Sequence, residues 1–162
     1  MAVPETVLIA HEPDCRTETI GRYAGGQFLA SVTYAFPQGF RLGDEGEHHK
    51  RLYAVLHRFD SQGRHLHSDI WCAGTWAEQQ RRPHGNDSVR ARARTRLAQL
   101  LDRLPRLTYG DIAIRPFQLT MDGVIFGLIP ERHAESEGED DWAELYPDRL
   151  GFSAPWDGHY DT

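Results

Sequence analysis

The chain has 162 residues, of which 40% are hydrophobic and 26% charged, an ordinary balance for a globular protein. At this length roughly 70% of the unfolded surface is buried on folding, so one domain spanning 1–162 needs no disulfide or metal staple. The net formal charge of −6 argues against nucleic acid as the main partner, because such binders carry a strongly basic balance.

In chain order, Val7 to Ala10 is an apolar run long enough for a short strand. It is too short for a membrane span and lacks a basic flank, which points to a cytoplasmic protein without a signal peptide. Thr19–Tyr23 and Gln27–Phe36 flank Gly25-Gly26 and predict a hairpin. Pro37 ends that run, and residues 37–50 form a polar loop. Leu52–Asp60 and Arg64–Ala73 predict a second hairpin across Ser61-Gln62-Gly63, where glycine at the third loop position suits a type I turn with a left-handed bulge residue. That turn pairs Asp60 with Arg64, hence His57 with His67 and Val55 with Asp69. Leu56, Leu66, Ile70 and Cys72 then share the opposite face, which is taken as core.

Residues 74–86 lack periodicity and predict a loop. A helix follows from Asp87 or Ser88 to about Leu104, with Val89, Ala93, Leu97, Leu100, Leu101 and Leu104 in one apolar stripe. Tyr109–Met121 and Val124–Pro130 predict a third hairpin across Asp122-Gly123, with Pro116 marking an edge or a bulge. Residues 131–141 form an acidic loop, and Asp140–Tyr146 is expected to form a short helix before Pro147. The order of elements predicts an α+β protein: an antiparallel sheet built from hairpins, with one main amphipathic helix at about 87–104 packed on one face.

Three groups of residues bear on function. The first is His57, His67 and Asp69, which the expected register brings to one face, the two imidazoles about 5 Å apart at Cβ. Two imidazoles and a carboxylate suit a divalent metal such as zinc, or acid–base chemistry on a small molecule. The plainer reading is a polar sheet face, and a one-residue slip would disperse the set. His48-His49 with Asp44, Glu45 and Glu47 is a weaker cluster in a glycine-rich loop. No GxSxG, Walker, GxGxxG or HExxH motif is present, so no cofactor is expected outside the metal alternative.

The second group is electrostatic. Residues 81–106 hold eight Arg against two acids, while residues 131–162 hold ten acids against two Arg. Arg90, Arg94, Arg92 and Arg96 ride outside the apolar stripe, either as a docking surface or as a solvated face balanced by the chain's own acids. The seven carboxylates at 135–148 offer no spacing that selects a catalytic pair. The third group is the C-terminal stretch, where five of the seventeen aromatics fall in the last 21 residues. Trp142, Tyr146, Trp156 and Tyr160, with Asp148-Arg149 as an ion pair, either seal the body or line a groove for a partner.

The blocks TIGRYAGGQF (19–28), YAVLHRFDSQGRHLHSDIWCAGT (53–75), GDIAIRPF (110–117) and DWAELYPDRLGFSAPWDGHYDT (141–162) carry a likeness. Together they resemble a family of small actinobacterial proteins labelled formate hydrogenlyase regulatory protein, HycA-like. One Lys against seventeen Arg fits a high-GC genome. The resemblance implies a non-enzymatic cytoplasmic regulator acting through an unidentified protein partner, and it brings no catalytic residue with it. A toxin-immunity role, with a compact acidic protein masking a basic toxin, is a variant of the same class. A small-molecule enzyme using His57, His67 and Asp69 is the rival.

Overall fold

The computed structural model describes residues 2–37, 49–132 and 141–162. The central layer is a five-stranded antiparallel sheet in the order β5-β4-β3-β2-β6. Its strands are β2 (Ile20–Tyr23), β3 (Gly26–Ala35), β4 (Arg51–Phe59), β5 (His65–Thr75) and β6 (Thr108–Tyr109). A four-stranded sheet, ordered β11-β10-β9-β8, is built from β8 (Phe117–Met121), β9 (Val124–Glu131), β10 (Trp142–Tyr146) and β11 (Leu150–Phe152). A two-stranded sheet joins β1 (Val7–Ile9) to β7 (Ile112–Ile114). Two helices are described, α1 (Trp76–Arg81) and the longer α2 (Val89–Asp102). The α+β architecture with antiparallel sheets and one main helix is the expected one.

Helix α2 forms where the apolar stripe predicts. Ser88 Oγ accepts from the Ala91 N–H at 3.1 Å and caps its first turn. Leu97, Leu100 and Leu104 pack on Phe28, Ala30, Ala54 and Leu56, while Val89 and Ala93 pack on Leu52 and Ala73. The other face of the central sheet is equally apolar. Ala35, Tyr53 and Val55 meet Val124 and Phe126, and Leu29 and Phe59 meet Leu128, Leu145 and Phe152. The Tyr53 and Phe126 rings meet edge to face at 5.4 Å. The central sheet is thus covered by the helix on one side and by the second sheet on the other. Each large side chain so buried contributes about 1.5–3 kcal/mol. A strand buried on both faces loses its alternation, which is why Leu52 to His57 are all buried.

Several local expectations are corrected. Residues 74–86 contain α1, started by a capping box in which Thr75 Oγ1 accepts from the Glu78 N–H and Glu78 Oε1 accepts from the Thr75 N–H, at 3.1 and 3.2 Å. The stretch before Pro147 is strand β10 instead of a helix, because it pairs with β9 on one side and β11 on the other. The long strand expected from Tyr109 to Met121 is divided among three sheets, and Pro116 falls between β7 and β8, an edge strand. The Asp122-Gly123 turn closes as predicted, with Met121 opposite Val124 and positive φ of 54° and 76° at the two turn residues.

The β4–β5 hairpin departs from its predicted register at two places, the first next to the turn. The turn itself is as expected: the Asp60 N–H donates to the Arg64 carbonyl at 2.9 Å, and Gly63 has φ +86°. Phe59 still faces His65, but Arg58 faces His67, so Leu66 is an extra residue in β5. This bulge leaves Leu66 56% exposed and moves His67 to Cys72 by one place, and a second irregularity between Leu52 and Tyr53 moves Gly74 and Thr75 by one more. Cys72 is exposed as well, not core.

Candidate functional site

The bulge decides the fate of the histidine cluster. His57 faces Ser68, Arg58 faces His67 and Leu56 faces Asp69. His57 therefore points toward the second sheet, while His67 and Asp69 lie on the other face of β5. There they pair with each other, His67 Nε2 to Asp69 Oδ1 at 3.3 Å, at an exposed site. The three predicted ligands do not share a site. Among the described residues no group of three His, Cys, Asp or Glu side chains is placed to hold a metal ion. Apart from His49, the His48-His49 cluster lies outside the described residues, as do most of the acids at 135–148.

His57 forms a different cluster, built from Ser68, His65 and Phe117. Ser68 Oγ lies 2.6 Å from His57 Nδ1 and 2.7 Å from His65 Nε2. With one proton to give, the hydroxyl donates to one neutral ring and accepts from the N–H of the other. The Phe117 ring stacks on His65 at 4.8 Å and meets His57 edge to face at 4.9 Å. His57 is 3% exposed. Burial, reinforced by the neighbouring His65, depresses its pKa to about 3. His65 is lowered in the same way by burial and then by His67. The group reads as a neutral plug between the two sheets.

The C-terminal aromatics fall in two places. Trp142, Glu144 and Tyr146 share the outer face of β10. The Trp142 indole donates to Glu144 Oε1 at 3.3 Å, and the Tyr146 hydroxyl donates to Glu131 Oε1 at 3.0 Å. Burial, with the bonds to Glu131 and Glu144, pushes the Tyr146 phenol up to about 12. Arg149 lies 5.0 Å over the Tyr146 ring and pairs with Glu144, not with Asp148. Trp156 and Tyr160 pack on the cluster formed by Val7, Ile9, Ile114 and Phe152. Backbone bonds fix the tail: Ala10 N–H to the Gly158 carbonyl at 2.9 Å, and Gly151 and Asp161 exchanging two bonds at 2.8 Å. Trp156 and Tyr160 are thus half-buried against the body of the protein.

Asp148 of the tail set borders a cleft. Its side chain is 10% exposed and accepts from Arg16 Nη1 at 3.1 Å and from Thr33 Oγ1. Beside it opens a cleft of about 850 Å³ between the helix layer and the turn at Pro147-Asp148. Ala30, Val32 and Tyr34 of β3 lie along it, Arg90 and Arg94 of α2 form one wall, and Arg16 and Asp148 the other. Lys50 stands at one end with its ammonium 5.0 Å from the Tyr34 ring and 4.8 Å from the Trp76 ring. The chain matches no family model, no curated protein and no solved structure. The functional reading therefore rests on this geometry.

Four cations line the cleft, Arg16, Lys50, Arg90 and Arg94, against two carboxylates, Glu18 and Asp148. Arg16 is neutralised by Asp148. Lys50, Arg90 and Arg94 form no ion pair among the described residues; Arg90 reaches only the Tyr34 hydroxyl, at 3.5 Å. By contrast Arg92, on the other side of the helix, pairs with Glu78 at 3.5 Å. The site thus presents positive charge at side chains held by a helix and by two rings that meet edge to face. The sequence places Arg90 and Arg94 on one helix face but gives no sign of Lys50, Tyr34 or Asp148 beside them, because they come from segments distant along the chain.

Proposed function

We propose that the protein is a non-enzymatic binding protein of regulatory type, and that its working surface is the cationic cleft beside β3. The supporting observation is the set of three cations, Lys50, Arg90 and Arg94, without carboxylate partners among the described residues, around a cleft of ligand size. A regulator acting by binding is also what the likeness to HycA-like proteins implies. The rival enzyme reading needed His57, His67 and Asp69 together, and these are dispersed. The ligand this cleft favours is anionic, despite the acidic charge of the chain as a whole.

Tripolyphosphate serves as a simple anionic test ligand. At low salt and about a hundred times its dissociation constant it should stabilise the folded protein by about 2.7 kcal/mol. The gain should fade with added salt and should be lost in Arg94→Glu. Arg103→Glu, an exposed change outside the cleft, should keep it. Equal stabilisation of both variants would contradict the reading.

A further inference from the structure

Among the described residues, the strand position beside the second half of β3, along the cleft, is unfilled. The Ala30 N–H donates to the Thr19 carbonyl at 2.9 Å, which fixes the direction in which alternate residues of β3 point. Ser31, Thr33 and Ala35 face β4 across the ladder, so Val32 and Tyr34 direct their backbone N–H groups to the opposite side. There β2 has already ended, since it pairs only with Gly26 to Leu29. Among the described residues no strand lies beside Ser31 to Ala35 on that edge. The lining residues Val32, Tyr34, Arg90 and Arg94 lie on the helix side, and Ser31, Pro147 and Asp148 on the other. The cleft therefore straddles the strand edge, and its length there, five residues, corresponds to about 17 Å of extended chain.

Resting on the reading of the cleft as an anion-binding surface, we infer that the slot takes an extended acidic segment of a partner protein. The segment pairs antiparallel with Ser31 to Ala35 as an added strand, in line with β2. In such a pair the residues opposite Val32 and Tyr34 turn their side chains to the helix face and their N–H groups to β3. Carboxylates at every second position then meet Arg90 and Arg94, while the intervening residues face Ser31 and Pro147. Main-chain hydrogen bonds supply affinity and the alternating charge supplies selectivity, the usual division of labour when a peptide extends a sheet. A compact phosphate-bearing ligand would use the cations and leave the Val32 and Tyr34 amides untouched.

An eight-residue peptide of alternating Thr and Glu, titrated into the full chain at low salt, tests the inference. Binding should slow hydrogen exchange at Val32 and Tyr34 and weaken at least tenfold in Arg90→Glu/Arg94→Glu. N-methylation of the glutamate amides should weaken it at least tenfold, whereas N-methylation of the threonine amides should change it less than threefold. Equal effects of the two methylated sets, or the reverse order, overturn the antiparallel strand. Stabilisation by tripolyphosphate that depends on Arg94, without any peptide binding, overturns the inference and leaves the anion-binding cleft standing. Failure of both ligands removes both.

Discussion

On acidification from pH 6.5 the protein should lose stability at close to 1.4 kcal/mol per pH unit through His57 alone. Its imidazole lies 3% exposed between the two sheets, and burial, aided by His65, depresses its pKa from 6.5 to about 3. In the unfolded chain the ring binds a proton as pH drops below 6.5, whereas in the folded chain it does not until about pH 3. The unfolded state is therefore favoured progressively across that window, and the stability is fully present above it. His65 acts in the same direction, and His159, raised by its bond to Glu12, acts in the opposite one. Asp60 and Glu144 titrate below the ordinary carboxylate range and enter only toward the acid end. Urea midpoints between pH 7 and 4.5 isolate the histidines. His57→Leu should be less stable than the parent at pH 7, having lost the Ser68 bond, yet show a slope shallower by about 1 kcal/mol per unit. A parent and variant of equal slope would mean that His57 titrates normally in the fold.

The second large effect is expected at Gly127. This residue sits in the middle of β9 between β8 and β10, opposite Gln118 and Tyr146. Its φ is +143°, and a Cβ placed there would lie 2.1 Å from the Phe117 carbonyl oxygen. That oxygen belongs to the backbone of the neighbouring strand and has no side-chain freedom to give way. Strain of this kind, together with overpacking, costs roughly 3 kcal/mol or more. Gly127→Ala should lower the urea midpoint by that amount. Gly110→Ala, where nothing lies within 4 Å of the added atom, should stay within about 0.5 kcal/mol of the parent. Similar midpoints for the two variants would contradict the close approach of β8 and β9.

Turns were legible from the sequence wherever their chemistry is local. Gly63 and Asp122-Gly123 demand left-handed backbone, and both turns close as their residues predict. The stripe of α2 was equally plain, since 3.6-residue periodicity needs no knowledge of the partner. The bulge at Leu66 was not legible. An unbulged strand satisfies the same alternation, and only the packing of His57, His65 and Phe117 between two sheets selects the register that occurs. One extra residue was enough to disperse His57, His67 and Asp69. Strand β10 was misread for a related reason: Trp142 and Tyr146 share a face at four-residue spacing in a helix and in a strand alike. The cleft lay beyond reach because Lys50, Asp148 and the open edge of β3 meet only after the layers assemble.

The central claim is that the cationic cleft, not the aromatic face of β10, is where the protein meets its ligand. The most direct measurement is an amide chemical-shift map of the full chain during titration with the alternating Thr-Glu peptide. The largest changes should fall at Val32, Tyr34, Arg90 and Arg94. Changes centred on Trp142, Tyr146 and Arg149, with the β3 edge silent, would contradict it.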